Sequence, residues 1–161
     1  MRWSWGVVST LWLVACGADP EARQAADEAA RAAAQADTMQ MAHAAFDAVV
    51  FDTIKWDGDS LAVSRGDVVW NFSCRKCHGP TALGDGGFVL RGDTLHPPSF
   101  REPDWRFTRD LDGLRAYIFA GNEKGMPHWG LVGLTSRDID AVAKYIQQHL
   151  VTQPALTPTK R

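Results

Sequence analysis

The chain is short of cysteine and tyrosine, has no surplus of charge of either sign, and has no long apolar run beyond its start. Its three cysteines, at positions 16, 74 and 77, are too few and too odd in number for the disulfide framework of a small secreted scaffold. Seventeen basic residues stand against nineteen acidic ones, a formal charge of -2, which excludes the basic footprint of a nucleic-acid binder. No later run of about 18 apolar residues occurs, so nothing past the first segment reads as a membrane span. No phosphate-binding glycine loop, nucleophile–base–acid pattern or paired-carboxylate site is present. The length suits one small domain with extensions.

The chain begins like an exported protein. Residues 1–15 carry a positive start at Arg2 and a mostly apolar run from Val7 to Ala15. That run is shorter than the about 20 residues a spanning helix needs, so it reads as a signal segment. It ends in Leu13-Val14-Ala15-Cys16, which resembles the lipobox of bacterial lipoproteins. The resemblance implies cleavage before Cys16 and a diacylglycerol on its thiol; an ordinary signal with a chance cysteine is the alternative. More than one acyl chain would hold the protein at a membrane without a transmembrane helix.

A tether is expected from residue 16 to 57. Asp19-Pro20-Glu21 predicts a helix start, with Asp as N-cap, Pro at the first helical position and an acid in the first turn. Ala22 to Ala36 has high helix propensity but too little apolar bulk for a core of its own, so this part is helical or flexible. From Met39 to Phe51 the sequence turns more apolar and is expected to pack on the domain that follows.

The chemistry concentrates in Cys74-Arg75-Lys76-Cys77-His78. C-x-x-C-H is the sequence form of c-type haem attachment. Two thiols at this spacing reach the two vinyl groups on one porphyrin edge, and the next histidine ligates the iron. A thioredoxin-like redox pair would need a βαβ setting and leaves His78 unexplained. Half a zinc site lacks its second ligand pair. A helix over Ser60 to Ser73 is predicted to lead into the motif, with Leu61, Val68, Val69 and Phe72 apolar and Gly66 inside it. A second begins at a Thr135-x-x-Asp138 capping box, with Ile139, Val142, Ile146 and Leu150 on one face. A third is expected from Thr108 to Ala120, stopped by Gly121.

At these residues the chain resembles class I monohaem cytochrome c. In that family a glycine and an aromatic residue lie at one- and two-turn spacings before the first haem cysteine and pack on an apolar–aromatic pair of the last helix. Gly66 and Trp70 match the first pair, Val142 and Tyr145 the second. The resemblance implies an all-α fold of several helices around one covalent haem c, over residues 58–151, with a loose tail at 152–161. It also implies a methionine as sixth ligand from a downstream loop, and Met126 is the one methionine downstream of His78; His96 and His128 are its rivals. Pro127 restricts Met126 to extended backbone. A thioether opposite imidazole raises the reduction potential. The family's proline loop resembles Leu95 to Phe100, so a carbonyl of Pro97 or Pro98 would accept the hydrogen bond of the ligating histidine. Arg101, Trp105 and Arg106 are candidates to meet the haem propionates, and His128 is expected to face solvent or a propionate.

The expected function is one-electron transfer between redox proteins, such as an oxidase, a reductase or a dehydrogenase, with no substrate chemistry of its own. The expected place is the periplasmic face of a bacterial membrane. Alternatives are a haem sensor or small-molecule enzyme with a displaceable sixth ligand, and an electron-entry subunit of a larger complex.

Overall fold

The computed structural model describes residues 19–152. The expected signal segment, Cys16 and the residues from 153 onwards lie outside the described residues. Contacts divide the chain after Ala34. In the first unit the described residues open α1 (Pro20–Ala45). The Glu21 N–H donates to the Asp19 carboxylate at 3.1 Å, the cap the sequence predicts. All residues from 19 to 34 are exposed, as befits a helix stretch with no apolar stripe.

The second unit starts at Gln35 and so includes the end of α1. Ala42 is buried there, Phe46 is partly buried, and Phe51 of α2 (Ala48–Asp52) is buried. Phe46 meets Phe51 at 5.4 Å and Phe119 at 5.5 Å between ring centroids. Met41, Val49 and Val50 face solvent, so the apolar stretch packs mainly through its small and aromatic members.

One continuous helical rod carries the cysteine motif. It comprises α3 (Asp59–Val69), a π-type turn at Trp70–Cys74, and α4 (Arg75–His78). Its buried face is Ala62, Gly66, Val69 and Trp70. Leu61, Val68 and Phe72 lie on the other side, with Phe72 84% exposed, so three of the four apolar residues expected to matter here are not core. The reason is the crossing with α7 (Ser136–Tyr145). A β-carbon on Gly66 would come within 2.2 Å of the Ala141 carbonyl oxygen and 2.5 Å of the Tyr145 β-carbon. That approach fixes which face turns inward.

The capping box forms as predicted: Thr135 Oγ1 accepts the Asp138 N–H at 3.1 Å and Asp138 Oδ2 accepts the Thr135 N–H at 3.3 Å. Beyond it Ile139, Val142, Ile146 and Leu150 are all buried, the last two in a closing π-type turn (Ile146–Leu150). Each such side chain contributes about 1.5–3 kcal/mol on burial.

α5 (Leu111–Ala120) begins three residues later than expected because Asp110 caps it, accepting the Gly113 N–H at 2.8 Å. Gly121 ends it at φ +67°. A short α6 (Trp129–Val132) follows. A two-residue antiparallel ladder of β1 (Val89–Leu90) and β2 (Asp93–Thr94) sits between α4 and α5. It turns through Arg91 and Gly92, both at positive φ. Among the described residues the remaining regular structure is helical.

Candidate haem site

The helical rod delivers Cys74, Cys77 and His78 to one cavity of about 580 Å³. Met126, Trp105 and both prolines, Pro97 and Pro98, line the same cavity. The sequence separation between His78 and Met126 is thus closed by the fold. The lining is dominated by apolar and aromatic side chains, the environment a large apolar ligand needs.

His78 sits in an aromatic cage. Its ring lies 4.8 Å from Phe100 and 5.9 Å from Trp70, centroid to centroid. Trp105 stacks on Phe100 at 4.7 Å. Trp70 is 1% exposed and also meets Tyr145, at 6.4 Å. Burial drives the His78 pKa down to about 4, so the ring is neutral near neutral pH and offers a lone pair to a metal. Cys74 and Cys77 are free thiols. Burial, then the neighbouring Cys77, pushes Cys74 up to about 12. Burial also raises Cys77, against the charge of Lys76.

The backbone around His78 is drawn tight. Its carbonyl accepts the Gly84 N–H at 2.9 Å, and Gly86 donates to the Cys77 carbonyl at 3.3 Å. A β-carbon on Gly84 would come within 1.9 Å of the Pro97 carbonyl oxygen. The proline loop therefore leans on Gly84. Neither Pro97 nor Pro98 accepts a hydrogen bond from His78, whose Nδ1 is buried without a partner. The expected proline–histidine bond is absent among the described residues, and the Pro97 carbonyl lies against Gly84.

Arg101 and Arg106, both candidates to meet the propionates, are placed differently relative to the cavity. Arg101 does not line the cavity; its backbone N–H donates to Ser99 Oγ at 3.1 Å, turning the chain after Phe100. Arg106 does line it, with its guanidinium over the rings of Phe107 at 4.3 Å and Tyr117 at 4.6 Å. The His128 Nδ1 bonds to the Ala120 carbonyl at the end of α5, and the residue is half-buried. His96 lines the cavity from an exposed position. Lys76 and Lys124 add positive charge to the lining, Lys76 above the Phe88 ring at 4.8 Å.

Two residues that sequence reasoning missed shape the Met126 loop. Asn122 bonds to Met126 through both its backbone and its side chain, and Tyr117 bonds to Asn122. The signal available was an asparagine just after a helix-ending glycine, a residue type that bonds to its own loop backbone.

Two free thiols, a neutral histidine with a buried unpaired nitrogen, a thioether and an aromatic lining around one cavity fit a covalently held haem. Cys74 and Cys77 would carry it, and His78 would ligate its iron.

A family described as cytochrome c oxidase, cbb3-type, subunit III has a model that matches residues 61–146, more than half of the chain. No curated protein and no solved structure matches.

Proposed function

The chain belongs to the cytochrome c oxidase, cbb3-type, subunit III family, a class I monohaem cytochrome c family, and from that membership we propose that it is a membrane-tethered one-electron carrier with His78/Met126 ligation. The domain is that of a haem-based electron carrier rather than of a catalyst, and it implies covalently bound haem c. Bound haem supplies a single reversible Fe(III)/Fe(II) couple. The residues do the rest. Cys74 and Cys77 fix the group to the rod, His78 gives a nitrogen ligand, and the apolar lining keeps water from the cavity.

The placement of His78 and Met126 on the walls of one cavity carries the reading. Ligation by both His78 and Met126 would leave no open coordination position, which would suit electron transfer and not substrate binding. The Leu13-Val14-Ala15-Cys16 sequence supports export and a lipid at Cys16, on the periplasmic face of a bacterial membrane. A lipid anchor would raise the local concentration near membrane-bound partners such as an oxidase, a reductase or a dehydrogenase.

The test is a set of absorption spectra on protein made in a host with c-type maturation. A c-type reduced spectrum, a sulfur-to-iron band in the oxidised form and no carbon monoxide binding are expected. A missing sulfur band with rapid carbon monoxide binding would remove Met126 from the iron and turn the reading towards a sensor or a small-molecule catalyst. Cys16→Ser should move the protein from the membrane to the soluble fraction; a variant still retained there would argue against the lipid.

The family's description favours a second reading, a fixed electron-entry subunit of an oxidase complex. Mild-detergent purification separates the two: a subunit leaves with other chains in fixed ratio, and a free carrier leaves alone.

A further inference from the structure

The loop from Gly121 to His128 is closed on itself by one residue. Asn122 donates its backbone N–H to the Met126 carbonyl at 3.1 Å. Its side-chain Oδ1 accepts the Met126 N–H at 3.2 Å. Both backbone polar groups of Met126 therefore end on Asn122. The same Oδ1 accepts the Lys124 N–H at 2.9 Å, and Nδ2 donates to the Tyr117 hydroxyl at 2.6 Å. Two N–H groups converging on Oδ1 settle the orientation of the amide, since a flipped group would set donors against donors. Tyr117 belongs to α5, so the clasp is tied to a buried helix and not only to the loop.

Met126 is partly buried and packs against the core, but among the described residues no other hydrogen bond reaches its backbone. Glu123 and Lys124 are exposed, and the loop is short of apolar side chains. Its other ties lie at the rim: Gln35 Nε2 donates to the Glu123 carbonyl at 2.8 Å, and His128 bonds to Ala120. Neither touches the Met126 backbone. A methionine side chain has three rotatable bonds, so its sulfur is aimed only as well as its backbone is fixed. Pro127 narrows the Met126 backbone to extended conformations but does not anchor it.

We propose that Asn122 is the positioning residue for the sixth ligand: by clasping both backbone polar groups of Met126 it holds the thioether on the iron and thereby sets the haem's reduction potential. This rests on Met126 being the axial ligand. Without the clasp the loop samples positions in which the sulfur has left the metal, and an external ligand binds in proportion to that open fraction.

The experiment uses the matured holoprotein with Asn122→Ala and Asn122→Asp. The haem stays attached through Cys74 and Cys77 in both, so its loss does not confuse the outcome. Three quantities are read: the sulfur-to-iron band of the oxidised form, the rate of cyanide binding, and the midpoint potential. Asn122→Ala removes the three side-chain hydrogen bonds and keeps the backbone one; it should weaken the band, lower the potential, and speed cyanide binding about tenfold, the weight of the one lost bond that reaches Met126 directly. Asn122→Asp keeps the acceptor and should restore most of the band and the slow cyanide rate.

A purely structural role would lower the unfolding midpoint of Asn122→Ala while leaving the band and the cyanide rate as in the parent. That result overturns the proposal, as does equal loss in the Ala and Asp variants. A parent protein with no sulfur band overturns the ligand assignment itself, and that is read before either variant is made.

Discussion

Gly66 and Ala141 stand so close that a β-carbon on the glycine would lie 2.2 Å from the Ala141 carbonyl oxygen. At an exposed helical site, glycine to alanine would gain about 1 kcal/mol in helix propensity. Here the added methyl must push against backbone, and overpacking costs about 1–3 kcal/mol. The steric cost outweighs the gain in propensity and so decides the sign. Gly66→Ala should lower the denaturant midpoint; an unchanged or raised midpoint would show that the two helices can separate at no cost.

The ionic cluster behind the cavity makes a different prediction. Asp140 is 0% exposed and accepts from Arg115 Nε at 3.0 Å, from Trp56 Nε1 at 2.6 Å and from Lys144 at 3.1 Å. It thus ties α5, α7 and the segment after α2 together. Asp140→Ala leaves the Arg115 guanidinium buried without this partner, a loss of about 3–5 kcal/mol. Pairing it with Arg115→Met should recover part of that loss. None of these four residues lines the cavity, so the haem spectrum of the folded fraction should not change. Urea unfolding followed at the haem band measures both effects at once.

What the sequence made legible was local. The Thr135–Asp138 box and the start of α1 at Pro20 each need only neighbouring residues, and each forms as read. The apolar face of α7 follows from spacing alone. The rod that ends in the motif is different, because it is apolar on two sides. Leu61, Val68 and Phe72 are as hydrophobic as Val69 and Trp70, and the choice of face comes from the Gly66 crossing. The hairpin at Val89–Thr94 was invisible because a two-residue strand has no periodicity. The bond of His128 was not legible because its partner is a backbone carbonyl eight residues earlier, brought near by the turn at Gly121. Asn122 reads as an ordinary loop residue until Met126 is seen between its two hydrogen bonds.

Acid should weaken the start of α7. Burial pushes the Asp138 carboxyl up, but the hydrogen bonds from Thr135 and Arg65 and the charge of Arg65 outweigh it, and the net shift is downwards from 3.8. A carboxylate with a depressed folded-state pKa contributes stability that is full above its unfolded value. That contribution is lost as pH falls below about 3.8 and through the lower folded value. Asp138→Asn should flatten this part of the stability curve. Denaturant midpoints between about pH 5 and about pH 2, the range over which such a carboxylate titrates, test it; parallel curves for parent and variant would contradict the assignment.

Gly121 tests the ligand loop independently of Asn122. It sits at φ +67° and ψ -155°, a region that is essentially glycine's alone. A β-carbon there would also meet the carbonyl oxygens of Met126 and Pro127, each at 2.5 Å. Gly121→Ala therefore carries about 1–3 kcal/mol of backbone strain and pushes on the residue that holds the sulfur. Gly133 is the control, since it too has positive φ, at +139°, but a β-carbon there meets nothing within 4 Å. Both alanine variants should lose thermal stability. Only Gly121→Ala should also weaken the sulfur-to-iron band and admit cyanide faster. If the two variants lose stability alike and neither changes the band, the turn at Gly121 shapes the chain without steering Met126.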